Sequence, residues 1–188
     1  MVTATRLLWT GIAMLAATLG AAAATGSEPL VSIRERDGAY VIAASFTVPE
    51  AAAVVRDVLT DYPNIPRFMP GVQASRVLAR ADGRVRVEQE AVSRYMMFSK
   101  RVHLVLDVEE EVDAIHFRDR CNKSFVLYEG VWTIASTGTS TELTYELTAK
   151  PAFEVPGFVL RKLLDREARA MIDGLRGEIG ARARRLEF

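Results

Sequence analysis

The stretch Val58-Leu59-Thr60-Asp61-Tyr62-Pro63-Asn64-Ile65-Pro66-Arg67-Phe68-Met69-Pro70-Gly71-Val72, followed by Ser75-Arg76-Val77-Leu78, decides how this chain folds. Pro63, Pro66 and Pro70 fall within eight positions, so no long regular helix passes through. Gly71 supplies a permissive backbone just before an alternating strand begins. Yet Ile65, Phe68 and Met69 are large apolar groups inside this broken segment. Irregular backbone that carries such side chains either lids a core or lines a pocket.

Upstream of it, Leu30 to Arg36 and Ala39 to Val48 are strand-like runs around Asp37-Gly38, a strong hairpin signal. Tyr40, Ile42, Ala44, Phe46 and Val48 share one face of the second run. Pro49-Glu50 is expected to open a short helix, with Ala52, Val55, Val58 and Leu59 as its buried stripe.

Downstream, six runs alternate between apolar and polar residues: Ala74 to Arg80, Arg84 to Val92, Phe98 to Val112, Ala114 to Asp119, Ser124 to Ser136 and Thr141 to Lys150. Such alternation predicts an antiparallel sheet with one wet face and one dry face. After the break at Pro151 to Pro156, Leu160, Leu164, Ala168, Met171, Leu175 and Ile179 fall at helical spacing and predict a helix from Gly157 to about Arg184. The fold class is α+β: a seven-stranded antiparallel sheet, two short helices after the first strand, and one long C-terminal helix. That helix is the element large enough to cover the dry face, and a twisted sheet gripping it leaves space unless side chains fill it.

Bulk properties narrow the function. The 188 residues carry a formal net charge of +0 and no basic block, which excludes a nucleic-acid partner. Arg182, Arg184 and Arg185 sit where cations complement a helix C-terminus. Residues 1–24 read as a signal peptide: Arg6, an apolar run from Leu7 to Leu19, then Ala22-Ala23-Ala24 before a cleavage point. Residues 25–29 read as a linker and 30–188 as the domain. The expected location is therefore periplasmic or secreted, the alternative being an uncleaved N-terminal anchor. With Cys121 as the single cysteine, no internal disulfide is available.

Chemistry is sparse. His103 and His116 each lie between apolar neighbours on a strand and so point to the wet face. With one cysteine and two outward histidines no tetrahedral metal set assembles. Neither a Gly-x-Ser-x-Gly elbow nor a phosphate-cradling glycine loop occurs. Glu88 and Glu90 read as cross-strand partners of Arg101 and His103 rather than as an acid/base pair. No catalytic residue, metal or cofactor is assigned.

The element order, together with Tyr62-Pro63-x-x-Pro66-x-Phe68-x-Pro70-Gly71-x-x-x-Ser75-Arg76-Val77-Leu78 and Gly130-x-Trp132, resembles the START-like SRPBCC superfamily, within it the polyketide cyclase/dehydrase and coenzyme Q-binding branch. The resemblance runs from about Val41 to Ala183. It implies a helix-grip fold with a deep apolar cavity between sheet and last helix, and ligands such as lipids, quinones, sterols or polyketides. On that reading Phe68 and Met69 stand at the cavity entrance. The candidate lining set is Phe68, Met69, Met97, Phe98, Leu104, Phe117, Tyr128, Trp132, Tyr145, Phe158, Leu164 and Met171. Its apolar surplus clusters at the broken segment, at Tyr95-Met96-Met97-Phe98 and at the start of the last helix, and in this fold those places meet at one end. Tyr128, Tyr145 and Trp132 offer polar handles to a head group. The expected function is an exported, non-enzymatic carrier of a hydrophobic small molecule, lipid or quinone in class, with transient membrane contact. The alternative is a polyketide cyclase/dehydrase using the same cavity.

Overall fold

The computed structural model describes residues 28–95 and 98–186; the expected signal peptide (1–24) and most of the expected linker lie outside them. Eight strands form one sheet in the order β1-β2-β8-β7-β6-β5-β4-β3, every neighbouring pair antiparallel. They are β1 (Leu30–Arg36), β2 (Ala39–Val48), β3 (Val72–Ala81), β4 (Arg84–Tyr95), β5 (Phe98–Glu110), β6 (Ala114–Asp119), β7 (Phe125–Thr137) and β8 (Ser140–Pro151). Between β2 and β3 lie α1 (Ala52–Leu59), a 3-10 turn at Tyr62–Asn64 and α2 (Ile65–Phe68). The long helix α3 (Gly157–Leu186) ends the chain.

The expected count of seven strands is one too low, and the short helices follow the second strand rather than the first. The first strand pairs with β2 along its whole length, from Leu30 opposite Ser45 to Arg36 opposite Ala39. It is an edge strand whose side chains are mostly exposed, so backbone pairing holds it where the pattern of buried residues is weak. The Asp37-Gly38 and Asp82-Gly83 turns each place both residues at positive φ, as two-residue hairpins of right-handed twist require. The first short helix opens at Ala52 with Ala51 as its cap, two residues later than Pro49-Glu50 suggested. The Glu50 carbonyl instead accepts a hydrogen bond from the fully buried Thr141 hydroxyl at 2.7 Å.

One face of the sheet and α3 enclose the core. Tyr40 to Val48 on β2 and Thr141 to Ala149 on β8 are buried at every second position. Ile172, Leu175 and Ile179 of α3 are fully buried. Arg182 fastens that half of the helix to the end of α1, with an ion pair to Asp61 and a hydrogen bond to the Asp57 carbonyl at 3.1 Å.

The broken segment turns out to have two halves. Tyr62 and Ile65 are core, and the Tyr62 hydroxyl donates to Glu110 at 2.8 Å. Phe68 and Met69 stay partly open and pack on the edge of the core. Gly174 of α3 makes this arrangement fit, because a Cβ there would stand 2.0 Å from the Phe68 carbonyl oxygen.

Candidate functional site between the sheet and α3

Burial along the inner face of the sheet is graded. At one end Val85 and Val87 of β4, Leu104, Leu106 and Val108 of β5, Ile115 of β6, and Trp132 and Ile134 of β7 are buried. Toward the other end the same faces carry Gln89, Ala91 and Ser93, then Val102 and Lys100, then Phe117, then Gly130 and Tyr128. These keep accessible surface although they point inward. Among the described residues burial is deepest toward the β3–β4 turn and falls along β4 and β5 toward Ser93 and Lys100.

The helix reports the same space. Leu164 lies one turn from Leu160 and one turn from Ala168 on a single stripe, and both neighbours are only 6% exposed. Leu164 itself is partly open, as is Met171 further along.

Aromatic rings run continuously along the interior. Phe46 meets Trp132 edge-on with centroids 6.5 Å apart, and Trp132 lies 4.5 Å from Tyr145. Tyr145 stacks with Phe117 at 6.1 Å, Phe117 lies 6.0 Å from Tyr128, and Tyr128 lies 4.9 Å from Phe125. Phe125 then reaches Phe153, in the connection before α3, at 6.4 Å. Gly130 makes room for this run: a Cβ there would lie 2.6 Å from the Phe117 ring and 2.3 Å from the Glu146 carbonyl oxygen. The glycine of Gly130-x-Trp132 thus lets an aromatic ring lie flat against its strand.

Tyr128 and Tyr145 are hydrogen-bond partners deep in the interior. Burial pushes the ionisation of both phenols upward, and for Tyr145 the hydrogen bond to Tyr128 adds to that rise. Burial, then the bond to Glu110, likewise raises Tyr62. Each phenol is more easily ionised unfolded than folded. Their stabilisation is therefore complete below the ordinary tyrosine value of about 10 and declines as pH rises beyond it. Alkaline titration should show tyrosinate absorbance rising together with loss of the far-ultraviolet dichroism. A full, reversible tyrosine titration in the folded protein would contradict this burial.

Of the twelve candidate lining residues, Leu104, Trp132 and Tyr145 are buried, while Phe117, Tyr128, Leu164 and Met171 are partly buried and pack against the core. Phe68 and Met69 stand beside them at the α2 edge, where α2 packs on α3. Phe158 is a correction: it is 74% exposed and lies on the outside of the first turn of α3. Two residues before Leu160, it points to the opposite side of the helix. Met97 and the Phe98 side chain lie outside the described part. Phe125 and Phe153 extend the run of rings without having been expected. A register shift between Phe125 and Leu127 moves Phe125 onto the face of Tyr128, which strict alternation would deny it.

The outer face carries different chemistry. A broad concavity of about 1140 Å³ crosses it, lined by charged side chains from β4 to β8. Arg86 and Arg120 both pair with Asp107, at 2.7 and 3.1 Å, Arg84 pairs with Glu109 at 2.9 Å, and Arg118 pairs with Glu129. Its volume exceeds what an interior ligand needs, but these are partly exposed cross-strand pairs that neutralise one another, as expected of a wet sheet face. His103 and His116 lie on this face, 3.6 Å from Glu88 and 4.0 Å from Glu111. Among the described residues no group of histidine, cysteine and carboxylate side chains could hold a metal. Nor, among them, is any helix long and apolar enough to cross a membrane. Cys121 sits in the β6–β7 turn, its thiol 3.2 Å from Asp119. That buried carboxylate also accepts from the Val105, Cys121 and Asn122 amides at 2.9, 3.2 and 3.0 Å, stitching the turn to β5.

An antiparallel sheet that packs one face against a single long C-terminal helix defines a START-like helix-grip protein. Solved structures agree on the fold. A START superfamily protein from Mycobacterium smegmatis superposes with a TM-score of 0.65 at 17% identity, over 75% of this chain and 97% of its own. The STAR-related lipid transfer protein of Xanthomonas axonopodis gives 0.57 at 20% identity, over 79% and 98%. The Zhui aromatase/cyclase of Streptomyces sp. R1128 gives 0.67 at 15% identity, over 77% and 96%. No curated protein sequence matches the chain. The profile of the family described as polyketide cyclase / dehydrase and lipid transport matches residues 48–176, and the chain belongs to that family.

Proposed function

We propose that this protein is an exported carrier that holds a hydrophobic small molecule, of lipid, quinone or polyketide-like class, between the sheet and α3. The observation that supports this most is the partly open Leu164 between buried Leu160 and Ala168, facing inward-pointing side chains that also keep accessible surface. The names of two similar folds, a lipid transfer protein and an aromatase/cyclase, are consistent with apolar cargo. Burying about 300 Å² of apolar ligand would return about 7 kcal/mol before the entropy cost of association, enough for carriage without catalytic help. The phenols of Tyr128 and Tyr145, held neutral by burial, can donate hydrogen bonds but do not act as bases near neutral pH, which favours binding over a cyclase reaction. Export rests on the N-terminal pattern of Arg6, the Leu7 to Leu19 run and Ala22 to Ala24.

Trp132 supplies the test. After cleavage at Ala24 it is the one tryptophan left of the two, and it lies on the cavity floor against Tyr145. Titration with cis-parinaric acid or decylubiquinone should quench its emission saturably at one ligand per chain. An emission that neither probe changes, in protein stripped of co-purified lipid, would refute carriage.

A further inference from the structure

We infer that the cargo is an acid-headed amphiphile, and that Lys100, with the Ser93 hydroxyl beside it, holds the anionic head at the open end of the cavity. This rests on the carrier reading above and adds the class of its ligand. The register places Lys100 directly opposite Ser93. Alternation along β5 puts Lys100 on the face of Val102, Leu104 and Leu106, and alternation along β4 puts Ser93 on the face of Val87, Gln89 and Ala91. Both residues therefore belong to the inner face, at its open end. Among the described residues Lys100 is the one cation that β4 and β5 place there.

Its surroundings set it apart from the other cations of these strands. Arg84 and Arg86 on the outer face each pair with a carboxylate of β5. The Lys100 ammonium instead lies 4.4 Å from the centre of the Phe153 ring, and no carboxylate among the described residues forms an ion pair with it. Phe153 is the outermost ring of the run that leads through Phe125 and Tyr128 to Trp132. A single positive charge thus stands where an apolar path ends, held over an aromatic face and supplied with a neighbouring hydroxyl. A ligand that lays its tail along the rings brings its head to that charge. The chemistry that completes the arrangement is one anionic oxygen group, either a carboxylate or a phosphate ester, on an apolar tail.

Three probes with the same tail separate the possibilities: oleate, oleyl phosphate and oleyl alcohol, titrated into the lipid-stripped mature protein. Oleate, oleyl phosphate or both should bind about tenfold more tightly than the alcohol, the worth of one charge-assisted hydrogen bond at a solvent-exposed rim. The acid that shows the preference identifies the head group. Lys100→Met should erase the preference and leave affinity for oleyl alcohol unchanged, while Lys100→Arg should keep most of it. Equal binding of all three probes by the unaltered protein overturns the inference and leaves the carrier standing. Equal weakening of all three by Lys100→Met also overturns it, since the lysine would then serve the fold alone. Binding of none of the three by the unaltered protein overturns the carrier reading, and this inference falls with it.

Discussion

Gly174→Ala should destabilise the protein by about 3 kcal/mol, a fall of roughly 10 °C in Tm, although alanine is the better helix former by about 1 kcal/mol. The added Cβ would stand 2.0 Å from the Phe68 carbonyl oxygen, 3.1 Å from its carbon and 3.2 Å from Pro70 Cδ. A backbone carbonyl cannot rotate aside as a side chain can, so α2 would have to move off α3. That displaces Phe68 and Met69 from the cavity edge as well as costing stability. Gly177, three residues on, is the control, because a Cβ there meets nothing within 4 Å. Gly177→Ala should raise stability by about 1 kcal/mol through helix propensity alone. Thermal unfolding of the pair decides the matter. Equal, small effects at both positions would mean that α2 does not press on α3 as described.

Leu164→Trp should abolish ligand binding with the fold intact. Leu164 keeps accessible surface on a helix held on either side by buried Leu160 and Ala168, and the carrier reading puts the ligand's tail against it. An indole there enters the volume that the ligand's tail would use, rather than overfilling packed core. Affinity for cis-parinaric acid, measured by calorimetry, should fall at least about a hundredfold, equivalent to about 2.7 kcal/mol, with Tm changed by only a few degrees. Unfolding would show that Leu164 is packed core, and undiminished affinity would place the ligand elsewhere.

The sheet was legible because period-two burial leaves a mark on every strand that has a dry face. Alternation such as Leu143, Tyr145 and Leu147 needs no tertiary knowledge to read. The run Leu30 to Arg36 was legible from the Asp37-Gly38 turn, but it buries little of its own, so its pattern does not announce a member of the sheet and the count of seven left it out. Among the candidate lining residues, those that obey phase do lie on the core side: Phe117, Tyr128, Trp132, Tyr145 and Leu164. Phe158 was misplaced because the first turns of α3 are apolar nearly all round, so composition there does not tell one side of the helix from the other. Phe125 was missed because a bulge reverses the parity of one residue, and nothing local announces a bulge without a glycine. Lys100 was missed for a different reason. Its phase matches that of Val102 and Leu104, but a lysine at the start of a strand reads as a wet-face residue whatever its phase, and the contact with the Phe153 ring joins segments far apart in sequence.

The mouth of the proposed cavity has two unequal sides. On the β6–β7 side, the Asp119 carboxylate accepts the amides of Val105, Cys121 and Asn122, while the Ser124 hydroxyl accepts the His103 amide at 3.0 Å. A turn fastened at so many points to the neighbouring strand behaves as a fixed door jamb. The Ala152 amide donates to the Ser124 carbonyl at 3.0 Å and so ties the connection into α3 to the same jamb, which leaves the α2 edge, where Phe68 and Met69 stay partly open, as the side that can widen for a bulky molecule.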